Sequence, residues 1–341
     1  MADLIFPDYR ANSDGNEWSY STGWTTGQAD NSGHNGAKYA TATAAGETAT
    51  FDSGAIVFTD AVIHMFASQF AGLVDIYVDG TLKLIDVDCY VYIDGQTNSM
   101  KNAAIVCLSG LPRTKHVIKV VCKGISGSKS SGTTIGVNWI TMLDPDMPAG
   151  EKLPNTIAFY MDSNGDRQGG WVDKQGKRLI ANYKPNNKLR IEYVTRPSIS
   201  SDYVRFMRNE IISRRIAGIV WMMNTNDLPR PEINSKANIE KAIKICIEEF
   251  KIPIALCTIL PRNGLNAFSW NKVNGQIREL AMKYNLPLID INTTVANNTV
   301  STVTPFQSDG IHLDAVGDNL AAHTMVDALF LSSGSPFAKF L

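Results

Sequence analysis

The chain of 341 residues lacks a dominant charge: Lys and Arg number 32 against 33 Asp and Glu, a formal net charge of −1 at pH 7. With no surplus of either sign there is no sequence-wide field to hold a polyanion or an anionic bilayer, so neither a nucleic-acid partner nor a membrane partner is expected. It also lacks a long apolar run, since none approaches the roughly 18 residues of a spanning helix. The opening segment Met1 to Asp8 has no basic region followed by an apolar stretch, which predicts that there is no Sec signal peptide. Paired cysteines are missing as well. Cys89, Cys107, Cys122, Cys246 and Cys257 stand singly in apolar runs, without the close spacing that a zinc site or a redox motif needs. An odd count argues against a complete disulfide framework, so these thiols are expected to be buried. What is present is 44% hydrophobic and 19% charged, the profile of a globular protein long enough for two full cores.

The two halves differ in pattern. Up to about residue 145, short segments rich in Val, Ile, Thr, Tyr and Phe alternate with clusters of Gly, Asn, Asp and Ser. Strands are expected at Ala55 to Phe58, Val62 to Ala67, Val74 to Val78, Asp88 to Ile93, His116 to Cys122 and Thr134 to Met142. Asp79-Gly80 and Asp94-Gly95 are hairpin signals. Many short strands with one apolar face need a second sheet to cover them, which predicts an all-β sandwich over 1–145. The pattern stops in the Pro/Gly/Asp-rich stretch Asp144 to Gly150, read as a linker.

Over 151–341 apolar strand candidates alternate with helix-period stretches. The strands are Ile157 to Tyr160, Leu189 to Val194, Gly218 to Met222, Pro253 to Ile259 and Pro287 to Ile291. The helices are Gly170 to Asn182, Ser201 to Arg215, Ser235 to Phe250, Asn266 to Tyr284 and Asp314 to Leu331. Five strand–helix repeats imply a parallel sheet flanked by helices, an α/β three-layer domain. Ligands in such sheets bind beyond the carboxyl ends of the strands.

Three segments at those ends carry candidate chemistry. Ser163 follows the first strand, where a hydroxyl and its own N–H can face one reacting carbonyl; most Asp-Ser pairs in loops are turn residues. Asn226 follows the third strand, and a side-chain amide there can donate to an oxyanion without acting as a base; the alternative is an Asx-type turn. Asp309 lies three residues before His312, a spacing that lets the carboxylate hold one imidazole nitrogen and leave the other free as a base. Otherwise this is a helix-capping segment with a satisfied histidine.

Taken together, Asp162-Ser163, Asn226-Asp227 and Asp309 with His312 resemble the SGNH (GDSL-like) hydrolases. That family carries Gly-Asp-Ser after its first strand, a glycine after the second, Gly-x-Asn-Asp after the third and Asp-x-x-His before the last helix. Gly170-Trp171-Val172-Asp173, Ile259-Leu260-Pro261-Arg262 and Pro287-Leu288-Ile289-Asp290 add to the likeness, which covers 155–331. It implies a flavodoxin-like domain and a serine esterase with Ser163 as nucleophile, His312 as base, Asp309 as its partner, and no metal or organic cofactor. The implied oxyanion hole comprises Asn226, the Ser163 N–H and a backbone N–H from Ser200 or Ser201. Met161 and Asn224 stand where the family has glycine, and Pro197 to Ser201 replaces the glycine after the second strand. A degenerate, non-catalytic scaffold is the rival reading.

The first half resembles the galactose-binding-like jelly-roll modules of carbohydrate-active enzymes at Val74 to Gly80, Leu111 to Val121 and Gly136 to Ile140. Trp18, Tyr20, Trp24 and Tyr39 are candidates for stacking on sugar rings, or else core plugs. Asp86, Asp88 and Asp94 are either calcium ligands or turn acids. The combination implies an O-acetyl esterase acting on an acetylated polysaccharide. With no signal peptide expected, a phage tail spike or fibre component is one setting, and a homo-oligomer, a trimer in a spike, would follow.

Overall fold

The computed structural model describes residues 9–11, 18–29, 38–93, 101–144, 156–166, 172, 179, 190–194, 198–230, 232–263, 265, 267–296, 306–307 and 309–340. The chain forms two compact units, one comprising Met1–Leu153 with Arg208–Arg214, the other Pro154–Met207 with Arg215–Leu341. The expected linker beyond Asp144 lies outside the described residues.

The first unit holds two antiparallel sheets. One contains β1 (Tyr9–Ala11), β3 (Thr25–Ala29), β4 (Lys38–Ala42), β6 (Asp60–Ala67), β9 (Lys101–Leu108) and β11 (Ile135–Leu143), ordered β3-β4-β11-β6-β9 with β1 also on β11. The other contains β2 (Trp18–Tyr20), β5 (Thr48–Asp52), β7 (Gly72–Val78), β8 (Thr81–Asp88) and β10 (Val117–Ser126), ordered β2-β5-β10-β7-β8. Strict alternation shapes β7: Val74, Ile76 and Val78 are buried while Leu73, Asp75 and Tyr77 are half-exposed, as a strand with one covered face requires. Strand β11 is buried along its whole length. Asp79 and Gly80, at φ 51° and 76°, supply the two left-handed residues of a tight hairpin turn.

Two strand expectations shift. Ala55 to Phe58 is a turn, closed by Ile56 N–H donating to Ser53 O at 2.9 Å, with only Phe58 bridged, to Thr114. The strand expected from Asp88 instead ends there. It runs upstream as β8, an edge strand that is mostly exposed, so no apolar period marks it in the sequence. Asp94-Gly95 lies outside the described residues.

Arg208–Arg214, expected to belong with the second half, clusters with the first unit. Asn209 Nδ2 donates to the carbonyls of Ala104 and Ile105 at 2.9 and 3.0 Å, and Ala104 N–H donates to Glu210 Oε1 at 2.9 Å. These bonds cover polar backbone on β9, the end strand of its sheet. Glu210 is wholly buried and is paired with Arg214 Nε at 2.6 Å.

The second unit is built on five parallel strands: β12 (Thr156–Met161), β13 (Arg190–Tyr193), β14 (Gly218–Met222), β15 (Ile254–Cys257) and β16 (Leu288–Ile289), in the order β13-β12-β14-β15-β16. Numbered along the chain this is 2-1-3-4-5, the flavodoxin-like order, whose topological switch point falls between its first and third strands, here β12 and β14. Helical segments along this half of the chain are α1 (Ser163–Asp166), α2 (Met207–Arg214) after a 3₁₀ turn over Ser201–Phe206, α3 (Ser235–Lys244), α4 (Ala267–Lys283), α5 (Ile291–Ala296) and α6 (Ala315–Val326), of which α2 belongs from Arg208 onward to the first unit. Helices α3 and α6 each continue as a π turn, to Phe250 and Leu331. The helix expected at Gly170 to Asn182 lies outside the described residues, Val172 and Leu179 excepted. Among the described residues no helix is long and apolar enough to cross a membrane.

Candidate active site

Parallel pairing of β12 with β14 ends at Met161 opposite Met222, so the next residues of both strands emerge side by side at the switch point. Asp162 N–H donates to Met222 O at 3.3 Å. The Asp162 carboxylate is fully buried and takes Asn164 N–H at 3.0 Å on one oxygen and Thr225 N–H at 3.3 Å on the other. It therefore ties the turn bearing Ser163 to the turn bearing Asn226. Burial raises the Asp162 pKa against the lowering pull of the Thr225 and Asn164 donors. Ser163 opens α1 and is half-buried.

Asn226 is buried in the 3₁₀ turn Thr225–Asp227. One amide proton goes to Ile199 O at 3.0 Å, which links it to the segment after β13 and leaves the second amide proton for another acceptor. Next to it, Asp227 accepts from Ser201 N–H at 2.8 Å on one oxygen, and from Ser235 Oγ at 2.7 Å and Asn224 Nδ2 at 3.1 Å on the other. Burial drives the Asp227 carboxyl up to about 6 in spite of those donors. Ser200 and Ser201 are both buried, and Ser201 Oγ accepts from Asn238 Nδ2 at 2.8 Å. Asn224 accepts from Trp221 Nε1 at 3.2 Å.

In the turn before the last helix, His312 Nδ1 lies 2.6 Å from Asp309 Oδ2, while Asp309 Oδ1 accepts the N–H groups of Ile311 and His312 at 2.9 and 2.6 Å. Burial acts to raise the Asp309 carboxyl, but the donors from His312 and Ile311 outweigh it and hold the group well below the usual carboxylate range. An ionised Asp309 accepting from Nδ1 favours the tautomer in which Nδ1 carries the proton and Nε2 is free to accept one. Among the described residues no hydrogen bond joins Ser163 Oγ to His312; such bonds often tighten only around a bound substrate.

No family model and no curated protein matches the chain. Solved structures do. A Bacillus subtilis protein is similar over 92% of this chain and 90% of its own, at 14% identity and a TM-score of 0.46. A GDSL-like lipase from Bacteroides thetaiotaomicron covers 53% of this chain and 91% of its own, at 16% identity and a TM-score of 0.41. A family two carbohydrate esterase from Cellvibrio japonicus covers 94% and 96%, at 11% identity and a TM-score of 0.33. None of these three reaches a TM-score of 0.5.

The first unit's candidates fare differently. Trp18 is 3% exposed and packs on Phe51 at 5.6 Å, and Trp24 is 8% exposed against Tyr20 at 5.2 Å. Both indoles are buried, as core plugs would be. Burial pushes the Tyr20 hydroxyl up to about 12. Tyr39 lies on β4, paired with Gln28. Asp86 binds the Lys123 ammonium and Asp88 accepts Tyr90 N–H at 2.9 Å, so both act as ion-pair or turn acids; Asp94 lies outside the described residues. Among the described residues no group of three His, Cys, Asp or Glu could hold a metal ion.

Proposed function

We propose that the second unit is a serine esterase. The observation that carries this reading is the Asp309–His312 pair at 2.6 Å, in a domain whose switch point carries Ser163 and Asn226 at adjoining strand ends. His312 Nε2 takes the Ser163 hydroxyl proton as Oγ attacks the ester carbonyl, and Asp309 steadies the imidazolium. The tetrahedral oxyanion is held by the second amide proton of Asn226, the Ser163 N–H and a backbone N–H from Ser200 or Ser201; the Ser201 N–H already donates to Asp227. Collapse passes the proton from His312 to the leaving alcohol. Water, deprotonated by the same imidazole, then releases the acid and restores Ser163.

The substrate we propose is an O-acetylated polysaccharide, with the first unit as a jelly-roll module that engages the glycan and a phage tail spike or fibre, homo-oligomeric, as the setting. Support for this finer reading is the sandwich-like first half beside an esterase site, an argument by analogy of architecture. The rival reading, a non-catalytic scaffold, draws on one observation: the Ser201 N–H faces a carboxylate instead of an open hole. Purified chain and its Ser163→Ala variant are compared on a chromogenic acetyl ester and on acetylated polysaccharides with released acetate as readout. Turnover is expected for the wild type and a loss of about 10⁴-fold or more in kcat for the variant, since triad members act as a unit. Equal rates would remove Ser163 from the chemistry, and no turnover by either would favour the scaffold.

A further inference from the structure

We infer that Gln307 is a positioning residue that clamps the turn carrying His312 to the segment after β15 and so fixes where the imidazole points. The inference rests on the esterase reading above. Gln307 is 3% exposed, and its Nε2 donates to two main-chain carbonyls, Ile311 O at 2.8 Å and Pro261 O at 3.0 Å. An amide NH₂ has two protons, and both are used to join these strands of backbone. Ile311 immediately precedes His312.

The far side of the clamp is itself anchored. Asn274, buried on α4, grips the main chain of Ile259 in both directions: Ile259 N–H donates to its Oδ1 at 2.8 Å, and its Nδ2 donates to Ile259 O at 2.9 Å. Pro261 lies two residues further on. A second tether runs in parallel, because Asn263 N–H donates to Gly310 O at 2.8 Å. Gly310 sits at φ +73° with space for no more than hydrogen, a Cβ there falling 2.6 Å from that of Asn263. Inside the turn, Gly310 N–H donates to Gln307 O at 3.1 Å.

Asp309 settles the ring's tautomer and its orientation within the turn, but those bonds are local and move with the turn as one body. Placement of Nε2 relative to Ser163 depends on what holds the turn to the rest of the sheet, and Gln307 is the buried side chain that bonds both sides. Errors of about 1 Å in such placement can cost of the order of 100-fold in rate.

The test uses the full chain. Gln307→Met keeps the length and removes both donors. On the chromogenic acetyl ester kcat is expected to fall about 10- to 100-fold with KM changed by less than about threefold, the split that misplacement of a catalytic group produces. In ¹⁵N-histidine-labelled protein the low-field proton shared by His312 Nδ1 and Asp309 should shift or broaden. A folded variant with kcat within about twofold of wild type overturns the inference. Gln307→Asn, which keeps the amide on a shorter stem, replaces the first variant if that one does not fold, and is judged by the same two outcomes. If the wild type hydrolyses no ester, the esterase reading falls on its own, and the resonance compared between wild type and variant decides the clamp: unchanged, it overturns it.

Discussion

Asn226 spends one amide proton on Ile199 O and keeps the other, so its contribution to catalysis is separable from its contribution to the turn. Asn226→Asp keeps an acceptor but alters charge, whereas Asn226→Ala removes the donor outright. The latter is expected to lower kcat by roughly 10²- to 10³-fold, the usual cost of one oxyanion donor, with little change in KM. An unchanged kcat would reduce Asn226 to a turn residue. Asp227, its neighbour, has a pH signature. Its carboxyl lies at about 6 in the folded chain against 3.8 ordinarily, because burial disfavours the anion. Between those values the folded state holds a proton that the unfolded chain has released, so this group's stabilising effect is present below about 3.8 and is lost as pH rises through about 6. Asp309 has the opposite sign: its depressed pKa contributes stability above the ordinary carboxylate value that is lost as pH falls below it. Urea midpoints of wild type and Asp227→Asn measured from pH 4 to 7 should show the decline in the wild type flattened in the variant. Parallel profiles would place the shifted titration elsewhere. At this scale the sequence spoke clearly where bonds are local. Asp309 and His312 are three apart and bond within one turn, whereas Gln307 bonds to carbonyls of residues that only the fold brings near it. Trp18 packs against Phe51 across the β2–β5 pair, which no local pattern marks, whereas Trp24 packs against Tyr20 only four residues away.

Elements were legible where burial imposed a period. Strands β6, β7, β10 and β11 lie where alternation or continuous apolar runs placed them, and all five parallel strands of the second unit were expected. Strand β8 was not, because an exposed edge strand has no need of a repeating apolar face. Helix α5 was missed too, being short and opened by Ile291 without an acidic first turn. The last helix was foreseen. Asp314, extended at ψ −177°, accepts from Val316 and Gly317 N–H at 2.9 and 2.8 Å, which satisfies two of the donors that a helix start leaves open. Asp314→Ala should lower unfolding free energy by about 0.5–2 kcal/mol, read from chemical denaturation. A change within error would mean that α6 is held by packing of Ala321, Ala322 and Met325 alone, all of them buried.

For the whole molecule the informative feature is that the first unit is discontinuous in sequence. A cut at the expected linker divides that unit, since it leaves Arg208–Arg214 on the other fragment. A fragment of residues 1–153 therefore leaves Ala104 N–H and the carbonyls of Ala104 and Ile105 on end strand β9 without Asn209 and Glu210, and an open strand edge invites pairing with another copy. Light scattering should show 1–153 associating at concentrations where the full chain does not; a stable, non-associating fragment would show the segment to be dispensable. The same discontinuity bears on how the chain is made. Domains fold as units while synthesis proceeds from the amino end, and most such units can close once their last strand has left the ribosome. This one cannot. Strand β11 emerges well before Arg214, so the nascent first unit waits with one margin unfinished while β12 and β13 of the next unit are already being extruded. Translation speed between Leu143 and Arg214 is therefore expected to affect yield, since a slow stretch of codons there lengthens the interval in which neighbouring nascent chains on one polysome can pair edge to edge.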